Sequence, residues 1–429
     1  AREYGQANGS APAIGGTGEA FWKSVRAQFV MPPDLGVLNA ANLCPASRPV
    51  RDYFIANALY WLDEFHIDAL RLDATHAIYD DSPTHILAEL AERVRAATER
   101  EIVLIAEDAS NDVRFIRPGT AGGYGLDAVW ADDLHHELRV LLTGARENYY
   151  AAYTGSMDAI ATAIRDGFSY QGQLDPTTGK PRGTSVTDEP AGAFVVCLQN
   201  HDQVGNRPFG ERATHEIDAS RYAVASTLLL FAPETPLLFM GQEFAASTPF
   251  LYFTDHQEEL GRRVTEGRRG EFSGFRAFAG DSLRASIPDP QAESTFLASK
   301  LRLSERRTNA GVYGLYRALL QLRQEDPVLS VSDRRRVRAQ ALGARAIAVH
   351  RWQGGEHRLL VANFGAATSL PIAETPILRD LPAGRWRLIL STANRRFGGT
   401  GERAWVRGQN NTGRVEMPAR TAAIFAVRE

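Results

Sequence analysis

Three short apolar runs, each ending in an acidic residue, constrain the fold of this chain more than any other feature. They are Ile67-Asp-Ala-Leu-Arg-Leu-Asp73, Ile102-Val-Leu-Ile-Ala-Glu107 and Phe194-Val-Val-Cys-Leu-Gln-Asn-His-Asp202. Each reads as a buried parallel strand, because near-continuous aliphatic runs suit strands covered on both faces. Between them the apolar positions recur at three and four, the helical period. The spacing predicts strands over 67–73, 102–106, 126–129, 194–198 and 236–240, and helices over 51–64, 84–97, 133–142, 157–164, 220–231 and 309–323. Strands alternating with helices make a parallel sheet, and carboxylates at strand exits collect at the C-terminal mouth of a (β/α) barrel.

After Glu325-Asp-Pro327 the pattern changes to short alternating runs at 346–351, 358–363, 385–390 and 422–427, divided by turn-rich spacers such as 353–356 and 398–401. This predicts a C-terminal antiparallel β-sandwich. The expected organisation is therefore an N-terminal segment over 1–50, a barrel portion over 51–327 and the sandwich over 328–429. Residues 1–18 are rich in Gly, Ala and Ser and read as flexible. A formal net charge of -3 gives no electrostatic case for nucleic acid or an anionic membrane. The two cysteines, Cys44 and Cys197, cannot build a disulfide framework, and Cys197 reads as a small core residue. With neither a membrane-spanning run nor a signal-peptide pattern, the expected location is the cytoplasm.

Glycosidic bond hydrolysis needs a carboxylate nucleophile or base, a protonated carboxylic acid and negative charge near an oxocarbenium ion. Strand alternation puts Arg71 on the same face as Asp73, where a guanidinium keeps a carboxylate ionised. Glu107 has the opposite requirement, a proton retained near neutrality, which partial burial and neighbouring carboxylates supply. His76 and His201 can hydrogen-bond sugar hydroxyls as neutral imidazoles. His135 and His136, beside Asp132 and Asp133, sit at adjacent helical positions that diverge, so they make a poor metal chelate. The aromatic set Phe244, Phe250, Tyr252 and Phe253, with Glu243, follows the last barrel strand; about half of these rings are expected to pack the loop and the others to offer faces to sugars. Asp68, Asp80, Asp81 and Asp108 fall off the parity or beyond the strand ends and take structural roles.

The frames around Asp73, Glu107 and Asp202, in that order, resemble the second, third and fourth signature regions of the α-amylase family of glycoside hydrolases. The resemblance runs from about Arg51 to the C-terminus. It implies that Asp73 is the nucleophile, Glu107 the acid/base and Asp202 the transition-state stabiliser, with Arg71, His76, Asp133, His136, His201, Gln203, Glu243 and Phe253 binding substrate. It calls for no cofactor and no metal. Asp73-Ala-Thr-His-Ala-Ile-Tyr-Asp-Asp-Ser-Pro83, Trp130-Ala-Asp-Asp-Leu-His-His136 and the stretch 239–256 are similar to the members that release trehalose from malto-oligosyltrehalose. That substrate, or another α-1,4-glucan, is the partner the resemblance implies. A branching enzyme, an amylase or an inactive α-glucan-binding chain is the alternative.

Upstream of Arg51 the family's first signature region and three strand-helix units are not found. The fold expected is thus an incomplete (β/α)8-type barrel, strands four to eight, with self-association through its open edges. Residues 19–50 instead resemble the start of a class V pyridoxal-phosphate aminotransferase.

Overall fold

The computed structural model describes residues 48–186, 188–272, 284–407 and 413–428. The flexible segment expected over 1–18 and most of the aminotransferase-like stretch lie outside the described residues. The chain divides into two compact units, Ala1–Trp130 and Ala131–Glu429.

In the first unit, three parallel strands β1 (Ala69–Leu72), β2 (Val103–Ala106) and β3 (Ala128–Trp130) lie side by side. The register pairs Leu72 with Ala106, so the next residues, Asp73 and Glu107, leave adjacent strands at the same level. Helices Arg48–Glu64 and Ile86–Ala97 pack together. Ile55, Ala58 and Leu62 of the first, and Leu90, Ala91 and Val94 of the second, are buried, as their spacing predicts. Arg51 links the two layers, 2.8 Å from Glu89 and 2.5 Å from Asp80. Asp80 also accepts from the Ile86 backbone N–H, so it has the structural role expected of it. One expectation fails here: the run ending at Asp73 is not a buried strand. Among the described residues β1 pairs only with β2, and its side chains are exposed or half-exposed.

In the second unit, β4 (Phe194–Cys197) pairs in parallel with β5 (Thr235–Leu237). β4 is wholly buried, Cys197 included, and the helix Ala219–Phe231 is buried through most of its length. Helix Ala310–Glu325 packs on that helix, and Asp133–Thr143 packs on Met157–Asp166. The long insertion contains a helix, Glu258–Glu271, that periodicity misses because almost no apolar face exists. Ion pairs one turn apart, Arg262 with Glu266 and Arg263 with Glu259, support it instead.

The C-terminal part has two antiparallel sheets. The larger runs β10 (Arg387–Ser391), β13 (Thr421–Arg428), β8 (Glu356–Asn363), β7 (Ala346–Gln353), β6 (Val337–Ala341); the smaller runs β11 (Trp405–Arg407), β12 (Arg414–Met417), β9 (Thr368–Pro371). Leu359, Val361 and Phe425 of the larger sheet share one core with Val415 and Met417 of the smaller. The sequence predicts four of these strands; β9 and β11 are too short to show a period of two. Arg351 on β7 donates to the carbonyls of Phe231 (2.7 Å) and Val331 (2.5 Å), fastening the sheet to the end of the buried helix. Among the described residues no helix is long and apolar enough to cross a membrane.

Candidate active site

At the exits of β1 and β2, one guanidinium holds two carboxylates. Arg71 Nη1 lies 2.7 Å from Asp73 Oδ1, and Nη2 lies 3.0 Å from Glu107 Oε2. Its guanidinium carbon sits 4.0 Å from the centre of the Trp130 ring, an aromatic floor that fixes its orientation. The carboxyl groups of Asp73 and Glu107 are close enough for each to influence the other's ionisation. Burial raises the Glu107 pKa above the ordinary carboxylate value; the Ala74 N–H and Arg71 oppose this, and the neighbouring Asp73 reinforces it. The Ala74 N–H reaches Glu107 Oε2 at 2.7 Å because Ala74 is held in the left-handed region, φ 46°, an uncommon conformation for a residue with a Cβ. Thr75 adds bonds from its N–H and hydroxyl to the Glu107 carbonyl. His76 is exposed and accepts the Ala109 N–H on Nδ1 at 3.3 Å, which leaves Nε2 to carry the proton and face solvent. Asp108, next to Glu107, is buried and caps Ser110 and Asp112, the structural role expected of it.

In the second unit, Asn200 lies three residues past the end of β4, and its side chain accepts the Gln203 N–H at 2.8 Å and starts the short helix His201–Gly205. This cap turns His201, Asp202 and Gln203 out at the strand's C-terminal end. His201 Nε2 lies 3.4 Å from Asp202 Oδ1, and both side chains are partly exposed. Gln203 Oε1 accepts the Tyr149 hydroxyl at 2.6 Å and the Tyr150 hydroxyl at 3.2 Å. Its amide nitrogen then meets His136 Nε2 at 3.4 Å, so that nitrogen is the acceptor and the ring proton belongs on Nδ1. Burial holds His136 well below the usual imidazole value, which keeps it neutral. His136 packs against Tyr149, Tyr150 and Tyr153, with ring centroids 5.0, 5.5 and 4.6 Å away.

Asp133 is fully buried. Its oxygens accept from the Tyr153 hydroxyl (2.7 Å) and the Ser169 N–H (2.6 Å), and Arg182 lies 3.6 Å away, so this carboxylate braces the tyrosine cluster and has no face for a ligand. His135 is buried against the Leu198 carbonyl at 2.7 Å. Glu243 is half-buried with Arg306 at 3.7 Å; Phe244 is core, whereas Tyr252 and Phe253 are exposed. The residues that sequence reasoning missed are Tyr149, Tyr150, Tyr153 and Arg182. Tyr149 is 47% exposed and sits beside Gln203. The signal available was the tyrosine-rich stretch 149–153. Among the described residues, no group of three or more His, Cys, Asp or Glu could hold a metal.

A family model described as a domain of unknown function, DUF3459, matches residues 334–424. The malto-oligosyltrehalose trehalohydrolase of Deinococcus radiodurans is 45% identical over 357 residues, covering 82% of this chain and 56% of that protein. That of Arthrobacter ramosus is 42% identical over 291 residues, covering 66% of this chain and 50% of that protein. Among solved structures, a putative α-amylase from Salmonella typhimurium superposes with a TM-score of 0.73 at 33% identity, covering 89% of this chain and 60% of that one. The chain spans about half the length of the curated relatives it matches. The chain is thus similar in sequence to malto-oligosyltrehalose trehalohydrolases and, in its parallel strands followed by antiparallel sheets, similar in fold to a putative α-amylase.

Proposed function

We propose that this chain carries the catalytic groups of a retaining glycoside hydrolase that cleaves the α-1,4 bond next to the terminal trehalose of malto-oligosyltrehalose, releasing trehalose. The observation that carries the reading is the pair Asp73 and Glu107, at adjacent strand exits and bridged by Arg71. Retaining enzymes keep their two carboxyl groups close, roughly 5 to 5.5 Å apart, whereas inverting enzymes leave space for a water between them. Two carboxyl groups held on one guanidinium favour the closer spacing.

In this mechanism Glu107, held protonated by burial, donates its proton to the glycosidic oxygen as Asp73 attacks the anomeric carbon. The trehalose unit leaves as an alcohol and the remaining glucan is bound covalently to Asp73. Water then attacks the same carbon, gives its proton to Glu107 and frees the Asp73 carboxylate. Arg71 keeps Asp73 ionised and oriented. Asp202 takes the stabilising role implied by its position in chain order, and the imidazole Nε2 of His76 faces a sugar hydroxyl. Gln203 offers a polar surface backed by buried His136 and the tyrosines, and Asp133 supports it from below.

The names and similarity of the curated relatives support trehalose release in preference to branching or general amylolysis. Incubation with maltotriosyltrehalose followed by chromatography is the test. Trehalose with maltotriose is the expected product pair; glucose or maltose alone would sink the assignment. A second reading has one observation in its favour. The Asp73 side chain is 78% exposed, so a chain that binds α-glucan without turnover is the alternative, recognised by maltodextrin binding with no product.

A further inference from the structure

We infer that Phe253 and Phe296 form the exposed outer end of an aromatic track for the glucan chain, underpinned by half-buried Phe250 and buried Phe239, which carry it to the base of the Asp202-bearing helix. The inference rests on the α-glucan reading above and adds to it a determinant of chain length. Ring centroids follow one another from Phe239 to Phe250 (5.1 Å), Phe253 (6.1 Å) and Phe296 (5.2 Å), each pair edge to face. The inner end meets the helix His201–Gly205, since a Cβ built on Gly205 would stand 3.5 Å from the Phe250 ring. Arg268 reinforces the join by donating to the carbonyls of Gly205 and Arg207 while covering the exposed Tyr252 ring.

The outer end is held firmly, as a binding surface requires. The loop bearing Phe253 and the segment bearing Phe296 are joined by Leu251 N to Ser299 Oγ (3.0 Å), Thr254 N to the Pro290 carbonyl (2.9 Å) and His256 N to Gln291 Oε1 (2.8 Å). On that fixed frame, Phe296 is 44% exposed and Phe253 37%. Burying rings in the core would have been the simpler use of two phenylalanines; leaving them exposed on a rigid frame gives a surface for an apolar face with hydroxyls at its rim, which describes glucose in an α-1,4 chain. Lys300, 5.8 Å from the Phe296 ring centre, supplies an ammonium donor for such hydroxyls.

Calorimetric titration of the purified chain with maltotriose, maltopentaose and maltoheptaose tests the track. Wild-type affinity should rise with length. Phe296→Ala should bind maltotriose as the wild type does and lose roughly three- to tenfold for maltoheptaose, the worth of one aromatic contact. Phe296→Trp, which keeps a ring and so guards against a packing artefact, should match or exceed wild type on the long glucan. If Phe296→Ala keeps the full length dependence, or Phe296→Trp behaves like it, the track is wrong while glucan binding stands. A wild-type chain that binds none of the three removes both the track and the α-glucan reading.

Discussion

Replacing Arg71 with Met removes one charge and keeps most of the stem that lies on Trp130. The guanidinium stands 3.0 Å from Glu107 Oε2 and 2.7 Å from Asp73 Oδ1. At about 3 Å, two unit charges interact by roughly 5 kcal/mol at an effective dielectric of about 20 and by about 1.4 kcal/mol in bulk water. The Glu107 side chain is 20% exposed and that of Arg71 22%, so the pair is partly screened. We take about 1.5 to 2.5 kcal/mol, or about one to two pH units. Arg71 favours the ionised form of Glu107, whereas burial favours the protonated form and wins. Without Arg71 the Glu107 pKa rises further, so the alkaline limb of the kcat/KM profile, which reports loss of the acid's proton, should move up by at least about one unit. The rate at the optimum should fall at least about tenfold, because Asp73 loses the bond that orients it. The assay is trehalose release across pH for Arg71→Met beside wild type. A limb that stays in place or moves down would refute the electrostatic argument, whatever happens to the rate.

Three further outcomes are expected. Glu107→Gln keeps the side-chain shape but loses the transferable proton, so kcat should fall by about 10²- to 10⁴-fold with little change in thermal midpoint, measured by product release and by a melt. Arg351→Met leaves the carbonyls of Phe231 and Val331 without their strongest donor and should cost about 2 to 4 kcal/mol in urea unfolding; a loss under about 1 kcal/mol would show that other groups or water replace it. Glu234 is fully buried, and burial raises its pKa from 4.5 to about 7 against the nearby Arg334. Its contribution to stability is therefore fully present below about pH 4.5 and lost as pH rises through about 7, so Glu234→Gln should flatten the fall in unfolding free energy between about pH 5 and pH 8; equal slopes in both proteins would count against it.

The parallel strands were legible because side-chain chemistry and period agree there. Leu104, Ala106 and the whole of β4 are buried as their apolar runs require; Asp73 and Glu107 stand just past their strand ends, whereas Asp202 lies in the short helix that follows β4. The apolar run of β1 by itself suggested burial; its exposure fits instead the open edge expected where no upstream strand units are found, because periodicity reports what a strand could bury, whereas burial depends on which elements cover it. The tyrosine cluster was missed for a related reason. Tyr149 and Tyr150 lie in a five-residue 3-10 helix and Tyr153 just past it, an element too short for a period to mark a face, and only the fold brings them to His136 and Gln203. Asp133 misled in the opposite way. Its place in a motif suggested a ligand contact, but Tyr153 and the Ser169 backbone occupy its carboxylate.

The chemistry at β1 and β2 rests on an asymmetry between two like groups. Asp73 and Glu107 share one guanidinium, so the charge of Arg71 alone cannot decide which of them keeps a proton. Burial breaks the tie. The Asp73 side chain is 78% exposed and loses little hydration when ionised, whereas that of Glu107 is 20% exposed and loses much. Burial therefore biases the proton toward Glu107, the arrangement that the proposed mechanism calls for. The left-handed turn at Ala74 limits this bias, because its N–H stabilises the Glu107 carboxylate that must form when the proton is given up. In the proposed mechanism, burial would favour the proton on Glu107 before bond cleavage, and Ala74 and Arg71 would stabilise the charge left after it.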